Sequence, residues 1–175
     1  MTLRLEGKRI AILLEEGFED LEFWVPLMRM QEEGAHVTVV GLTAGKTVKS
    51  KTGALTAKTD VAAADVQASD FDGLIVPGGW APDKLRRDAA ITTLVRQVYD
   101  QGKVVGMICH AGLVGISAGI VRGHRSTGSL GIKDDLLNAG ATWVDEPAFR
   151  DGNLVWGRVV PDIPFFCREL VAALV

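Results

Sequence analysis

Cys109 and His110 stand side by side in MICHAGLVG, residues 107–115, between a short apolar run and a stretch of small residues. Such a pair can serve as nucleophile and base, or as thiolate and cationic partner, if the backbone turns sharply enough to bring neighbouring side chains together. From the pair alone, a small buried hydrophobe is the commoner role for a free cysteine. Cys167, in FFCREL, sits in a helical apolar context and reads as core. A base histidine needs an acid to orient it. The nearest supply is Asp83 in PGGWAPDKLRR, a loop directly after an apolar run, although capping the next helix is the plainer account of an aspartate there. The acidic run EEGFEDLE, residues 15–22, offers Glu19 and Glu22. A carboxylate held near a thiolate is pushed towards its protonated form, and can then hydrogen-bond sulfur or shuttle protons.

These side chains need a scaffold, and the hydrophobic pattern supplies one. KRIAILL (8–14), HVTVVGL (36–42), GLIVPGG (73–79) and KVVGMIC (103–109) are short apolar runs, each followed by a segment with helical spacing. That alternation predicts an α/β fold whose parallel strands are covered on both faces. DLEFWVPLMRMQEEG reads as a helix with Leu27, Met28 and Met30 on its apolar side, Gly34 as its stop, and Pro26 near the first turn or at a kink. DKLRRDAAITTLVRQVYDQG, from Asp83 to Gly102, repeats the pattern. TVKSKTGALTAKT (47–59) reads as a half-exposed β excursion. Asp151-Gly152, within FRDGNLVWG, is a type I′ hairpin signal, and PDIPFFCRELVAALV should close the fold as a helix. Cys109 then falls at the carboxyl end of a strand, where open parallel sheets bind ligands. A tight strand-to-helix turn there would hold the sulfur out and aim free N–H groups at it, lowering the thiol pKa. Serine hydrolases on α/β sheets display their nucleophile this way, but Met107 and Ala111 stand where G-x-S-x-G has glycines, so the analogy is geometric.

Composition excludes several classes. With 175 residues, 47% hydrophobic and 23% charged, the chain is expected to form one globular domain, 1–175. A net charge of −3 argues against nucleic-acid and anionic-membrane partners, which require basic patches. No apolar run approaches the ~18 residues of a membrane span, and no secretion signal is read at the start, so a cytoplasmic location is expected. EEGFED lacks G-x-G-x-x-G after the first strand, and no P-loop, H-E-x-x-H or paired C-x-x-C occurs, so neither cofactor nor metal is expected.

Taken in order, GFEDLE, FDGLIVPGGWAPDKLR, GKVVGMICHAG, SAGIVRG, GIKDDLLNAGATWVD and DGNLVW resemble the PfpI/ThiJ family, from about Lys8 to the C-terminus. The resemblance implies a flavodoxin-like three-layer sandwich with a mostly parallel sheet, a cysteine on a nucleophile elbow, and a family glutamate beside it. By motif these fall on Cys109 and Glu19, with His110 as the adjoining histidine. The acid of the family's GGxAP[ED] loop maps to Asp83 and would come from a neighbouring subunit of a homodimer or hexamer. Three positions depart from the pattern: I-C-H-G-P is ICHAG here, bringing Ala111 and Gly112; TSYPGIKDD is TGSLGIKDD, with Ser129 in place of an aromatic hydroxyl; and Trp80 replaces a frequent arginine. The leading expectation is a stress-response enzyme in which Cys109 attacks a small electrophilic carbonyl, as in glyoxalases and protein deglycases. The alternatives are a cysteine peptidase acting on a peptide through Cys109, His110 and Asp83, and a non-enzymatic redox sensor or chaperone-like protein.

Overall fold

Four apolar runs become the centre of one seven-stranded sheet in the computed structural model, which describes residues 3–175. In chain order the elements are β1 (Arg9–Leu13), α1 (Asp20–Glu32), β2 (His36–Gly41), β3 (Thr47–Lys49), β4 (Thr56–Lys58), β5 (Val61–Ala62) and β6 (Gly73–Val76). Then come α2 (Ala81–Leu85), α3 (Ala89–Asp100), β7 (Val104–Ile108), α4 (Gly112–Ser117), β8 (Arg125–Ser126), α5 (Lys133–Asn138) and β9 (Thr142–Trp143), followed by β10 (Ala148–Asp151), β11 (Leu154–Gly157) and α6 (Ile163–Leu174). The sheet order is β10-β11-β7-β6-β1-β2-β5, and every pairing is parallel except that of β10 with β11. Helices α1 and α6 pack together against one face, and α2, α3 and α4 cover the other. Strands β6 and β7 are therefore buried along their whole length, which is why their sequences are continuous apolar runs without alternation. This is the three-layer, flavodoxin-like architecture expected.

Some local readings need correction. Met28 is 57% exposed, while Leu27 and Met30 face the core, so the apolar stripe of α1 is narrower than its composition suggests. Pro26 lies in the second turn of α1, beyond the first. The segment from Asp83 is two helices: Asp83 lies inside α2, and Asp88 caps α3 through its side chain on the Ile91 N–H. The β10–β11 turn centres on Gly152 and Asn153, and only Gly152 has positive φ, so it lacks the two positive-φ residues of type I′. The 47–59 excursion is the antiparallel hairpin β3–β4.

Candidate active site

The sharp turn demanded by a Cys-His pair is present. Cys109 follows the last residue of β7 and has φ 60°, the one positive φ at a non-glycine position among the described residues. An L-residue there is strained, and such strain concentrates at functional sites. The turn does what a regular helix or strand cannot: it brings His110 Nδ1 to 3.3 Å from Cys109 Sγ. The carbonyl of Cys109 accepts from the Ser129 N–H at 3.1 Å, anchoring the elbow to the loop before α5.

Two further chain segments close around the sulfur. Phe18, after β1, bridges Ser50 on one side and Gly79 on the other, drawing the β1–α1, β3–β4 and β6–α2 connections together. Within that clasp Glu19 N–H donates to Gly78 O at 3.1 Å and Trp80 N–H to Gly17 O at 2.8 Å. The backbone N–H groups of His110 and Gly79 lie near enough to Cys109 Sγ to favour its thiolate. Gly78 must be glycine, because a Cβ there would stand 2.8 Å from Cys109 Cβ and overlap the Glu22 carboxyl.

The carboxyl at the sulfur belongs to Glu22. Its side chain is fully buried, accepts the Gly78 N–H on Oε2 at 2.8 Å and lies close enough to Cys109 for each to shift the other's ionisation, while Oε1 has no hydrogen-bond partner. Glu19, the residue carried over by motif, is instead the N-cap of α1 and accepts from Leu21 N and Glu22 N at 2.9 and 2.8 Å. The physical reason is helical geometry: the cap satisfies the helix's own N–H groups, and the first inward-facing position lies three residues on.

Burial, and next the charge of nearby Glu19, push Glu22 up to about 7. Burial and then the Glu22 charge push the Cys109 thiol up to about 12, outweighing the His110 and Gly79 N–H groups. The lowered thiol pKa expected from a helix dipole is therefore not found; the cysteine lies in a single 3₁₀ turn, and the α-helix after it has only six residues. Proton and charge are coupled here: while Glu22 is a carboxylate the thiol keeps its proton, and a proton moved from sulfur to Glu22 yields a thiolate facing a neutral donor. His110 is held below the ordinary imidazole value by burial and then by the Lys51 charge, and so is neutral at pH 7.

The other sequence candidates separate cleanly. Asp83 is exposed, paired with Arg87, and makes no hydrogen bond with His110 of the same chain. Cys167 is 4% exposed and burial pushes its thiol up to about 11, in keeping with a core role. Among the described residues no group of acidic, histidine or cysteine side chains is arranged to hold a metal, and no helix is long and apolar enough to cross a membrane. The N–H groups expected at the sulfur include that of His110 on the elbow; the second, from Gly79 on the β6–α2 loop, was missed, because no side-chain motif reveals it. Sequence reasoning also missed Lys51, whose charge acts on both Glu22 and His110.

The model of the DJ-1/PfpI family matches residues 8–173. The chain belongs to that family. It is 40% identical over 166 residues to a deglycase of Pyrococcus abyssi, covering 95% of this chain and 99% of that one. General stress protein 18 of Bacillus subtilis is 40% identical over 169 residues, 96% of this chain and 98% of that protein. A crystal structure from Anabaena variabilis with DJ-1/ThiJ/PfpI-like and ferritin-like domains superposes with a TM-score of 0.93 at 36% identity; 95% of this chain covers 48% of that two-domain chain.

Family membership makes the departures at the elbow informative. A Cβ at Gly112 would approach Ile132, Leu136 and Trp156 at 3.0–3.3 Å, so these side chains occupy the space that the family's larger residue would need. Ser129 turns its hydroxyl to the Gly131 N–H at 3.3 Å, closing its own turn rather than addressing the sulfur. Trp80 is 59% exposed, with its Cβ against Gly17.

Proposed function

We propose that the protein is a cysteine-dependent enzyme of the deglycase type, acting on electrophilic carbonyls. The observation that carries this reading is the buried carboxyl of Glu22, fixed beside Cys109 by the Gly78 N–H, with burial holding it near neutrality, where a proton-transfer group works best. Cys109 Sγ attacks the aldehyde carbon of a 2-oxoaldehyde. As the S–H proton passes to Glu22 a C–S bond forms, the carbonyl π pair moves to oxygen, and that oxygen takes the proton from Glu22, which is left as a carboxylate. Glu22, as carboxylate, then accepts the C1 proton and returns it to C2, while the proton of the C1 hydroxyl passes to the C2 oxygen, so that C1 is oxidised to a thioester and C2 reduced to an alcohol. Water cleaves the thioester to a 2-hydroxy acid, and no external oxidant is consumed. The same attack on a dicarbonyl adduct of a protein amine would release the amine. The deglycase names of relatives support this reading.

The test is methylglyoxal consumption without glutathione. Cys109→Ala should abolish turnover, Glu22→Gln should lower kcat at least 100-fold, and Glu19→Gln should leave kcat within about threefold because it removes only a cap. Equal loss in both glutamate variants would overturn the assignment of Glu22. We further infer that Asp83 acts across a subunit interface of a homodimer or hexamer: it is exposed, and His110 Nε2 has no hydrogen-bond partner in its own chain among the described residues. Asp83→Asn should then lower the pKa of His110, read by NMR titration, without lowering thermal stability by more than a few degrees.

A further inference from the structure

We propose that Lys51 selects substrates with an anionic group close to the electrophilic carbon, so that carboxylate-bearing 2-oxoaldehydes are preferred to neutral ones. This rests on the reading of Cys109 as the nucleophile. The clasp around Phe18 fixes the geometry. Lys51 and Trp80 each follow a bridge partner of Phe18, Ser50 and Gly79 respectively, and are thus brought side by side next to the Gly78–Gly79 loop that packs against Cys109. The backbone of the turn is tied down: Lys51 N–H donates to Phe18 O at 2.7 Å, and Thr52 Oγ1 donates to Asp20 Oδ1 at 2.6 Å. Lys51 Nζ lies 5.3 Å from the centroid of the exposed Trp80 ring, which leaves the ammonium N–H groups free for a ligand, since a ring face attracts the cation without consuming its donors.

Lys51 also stands without a counter-ion. Among the described residues no carboxylate lies within 4.0 Å of its ammonium, whereas Lys46, its neighbour on the same hairpin, is paired with Glu15. The charges facing the sulfur are otherwise acidic, from Glu22 and, behind it, Glu19. An anionic substrate would meet repulsion from these groups alone, so an unpaired cation on a fixed turn decides whether such a substrate is admitted. The influence of Lys51 on Glu22 and His110 shows that its field reaches the reacting groups.

The deciding experiment compares iodoacetate with iodoacetamide as alkylators of Cys109, quantified by peptide mass spectrometry. The two share one reaction, in which sulfur displaces iodide, and differ in a carboxylate. Replacing Lys51 also alters Glu22 and His110, but that acts on both reagents alike, so the ratio of rates isolates the charge. Lys51→Gln should lower the iodoacetate-to-iodoacetamide ratio about fivefold, the size of an exposed ion pair near 1 kcal/mol. Lys51→Arg should preserve it, and 0.5 M salt should erase most of the difference. An unchanged ratio in Lys51→Gln overturns the proposal. In turnover, Lys51→Gln should lower kcat/KM for 4,5-dioxopentanoate about fivefold more than for methylglyoxal, whatever loss the two share through Glu22 and His110; equal losses would also overturn it. If neither compound is turned over but the alkylation ratio falls as stated, the carbonyl-processing reading fails while the anion preference stands.

Discussion

At the scale of single residues, the chemistry rests on one buried proton. Glu22 would ionise near the ordinary 4.5 in the unfolded chain and near 7 in the fold. Its burial therefore supports folding fully below pH 4.5, and that support is lost as pH rises through 7. At ~1.4 kcal/mol per pH unit, the change is on the order of 3 kcal/mol. Glu22→Gln stays neutral throughout, so its stability relative to the native protein should rise between pH 4.5 and 7.5, as urea unfolding at the two pH values would show; a constant difference would contradict the buried-proton account. The sequence made Cys109 and His110 legible because their types and adjacency carry the signal. The choice between Glu19 and Glu22 was not legible, because a three-residue offset decides which carboxylate caps a helix and which enters the site. Lys51 was hidden for another reason: an isolated lysine in a hairpin looks like solvated surface until the clasp at Phe18 places it beside Trp80.

At the scale of elements, the connections after β1, β6 and β7 converge on the sulfur, each positioned by a strand of the central sheet, and the β3–β4 hairpin joins them through Phe18. The strand rhythm was readable because buried parallel strands are continuous apolar runs bounded by glycine. The split of the segment after β6 into α2 and α3 was less so, since one periodic pattern runs through both and only the Asp88 cap marks the break. Gly78 tests the convergence. Gly78→Ala would push its Cβ into Cys109 and Glu22, and we expect at least a 100-fold loss of turnover with a destabilisation of about 1–3 kcal/mol. Folding measured by urea titration and turnover measured in parallel would separate the two effects; retention of full activity would mean that the β6 loop can withdraw from the sulfur.

At the scale of the whole molecule, the two ends of the sheet carry different duties. Cys109 lies at the carboxyl end of β7, whereas Tyr99, His124 and Asp151 form a chain of hydrogen bonds near its amino end, with Tyr99 Oη 2.8 Å from His124 Nε2 and His124 Nδ1 3.0 Å from Asp151 Oδ2. Asp151 also accepts the Arg125 N–H at 2.9 Å, and despite burial these hydrogen bonds hold its carboxyl below the ordinary 3.8. That contribution is present above pH 3.8 and lost as pH falls through the lowered value. Asp151→Asn should thus cost about 1–2 kcal/mol at pH 7 and progressively less in acid, with methylglyoxal turnover at 25 °C unchanged. A loss of turnover without loss of stability would show that the two ends communicate.

The clasp at Phe18 also bears on how the chain acquires its reactivity during synthesis. Phe18, Ser50 and Gly79 all leave the ribosome before Cys109, but β7 completes its pairing only when β11, residues 154–157, has followed. Until then β7 is paired on one side only, with β6, and the strand that sets the Cys109 elbow lacks half of its hydrogen bonds. The rate at which alkylation of Cys109 reaches its native value during refolding would then serve as a clock for the docking of β11 on β7.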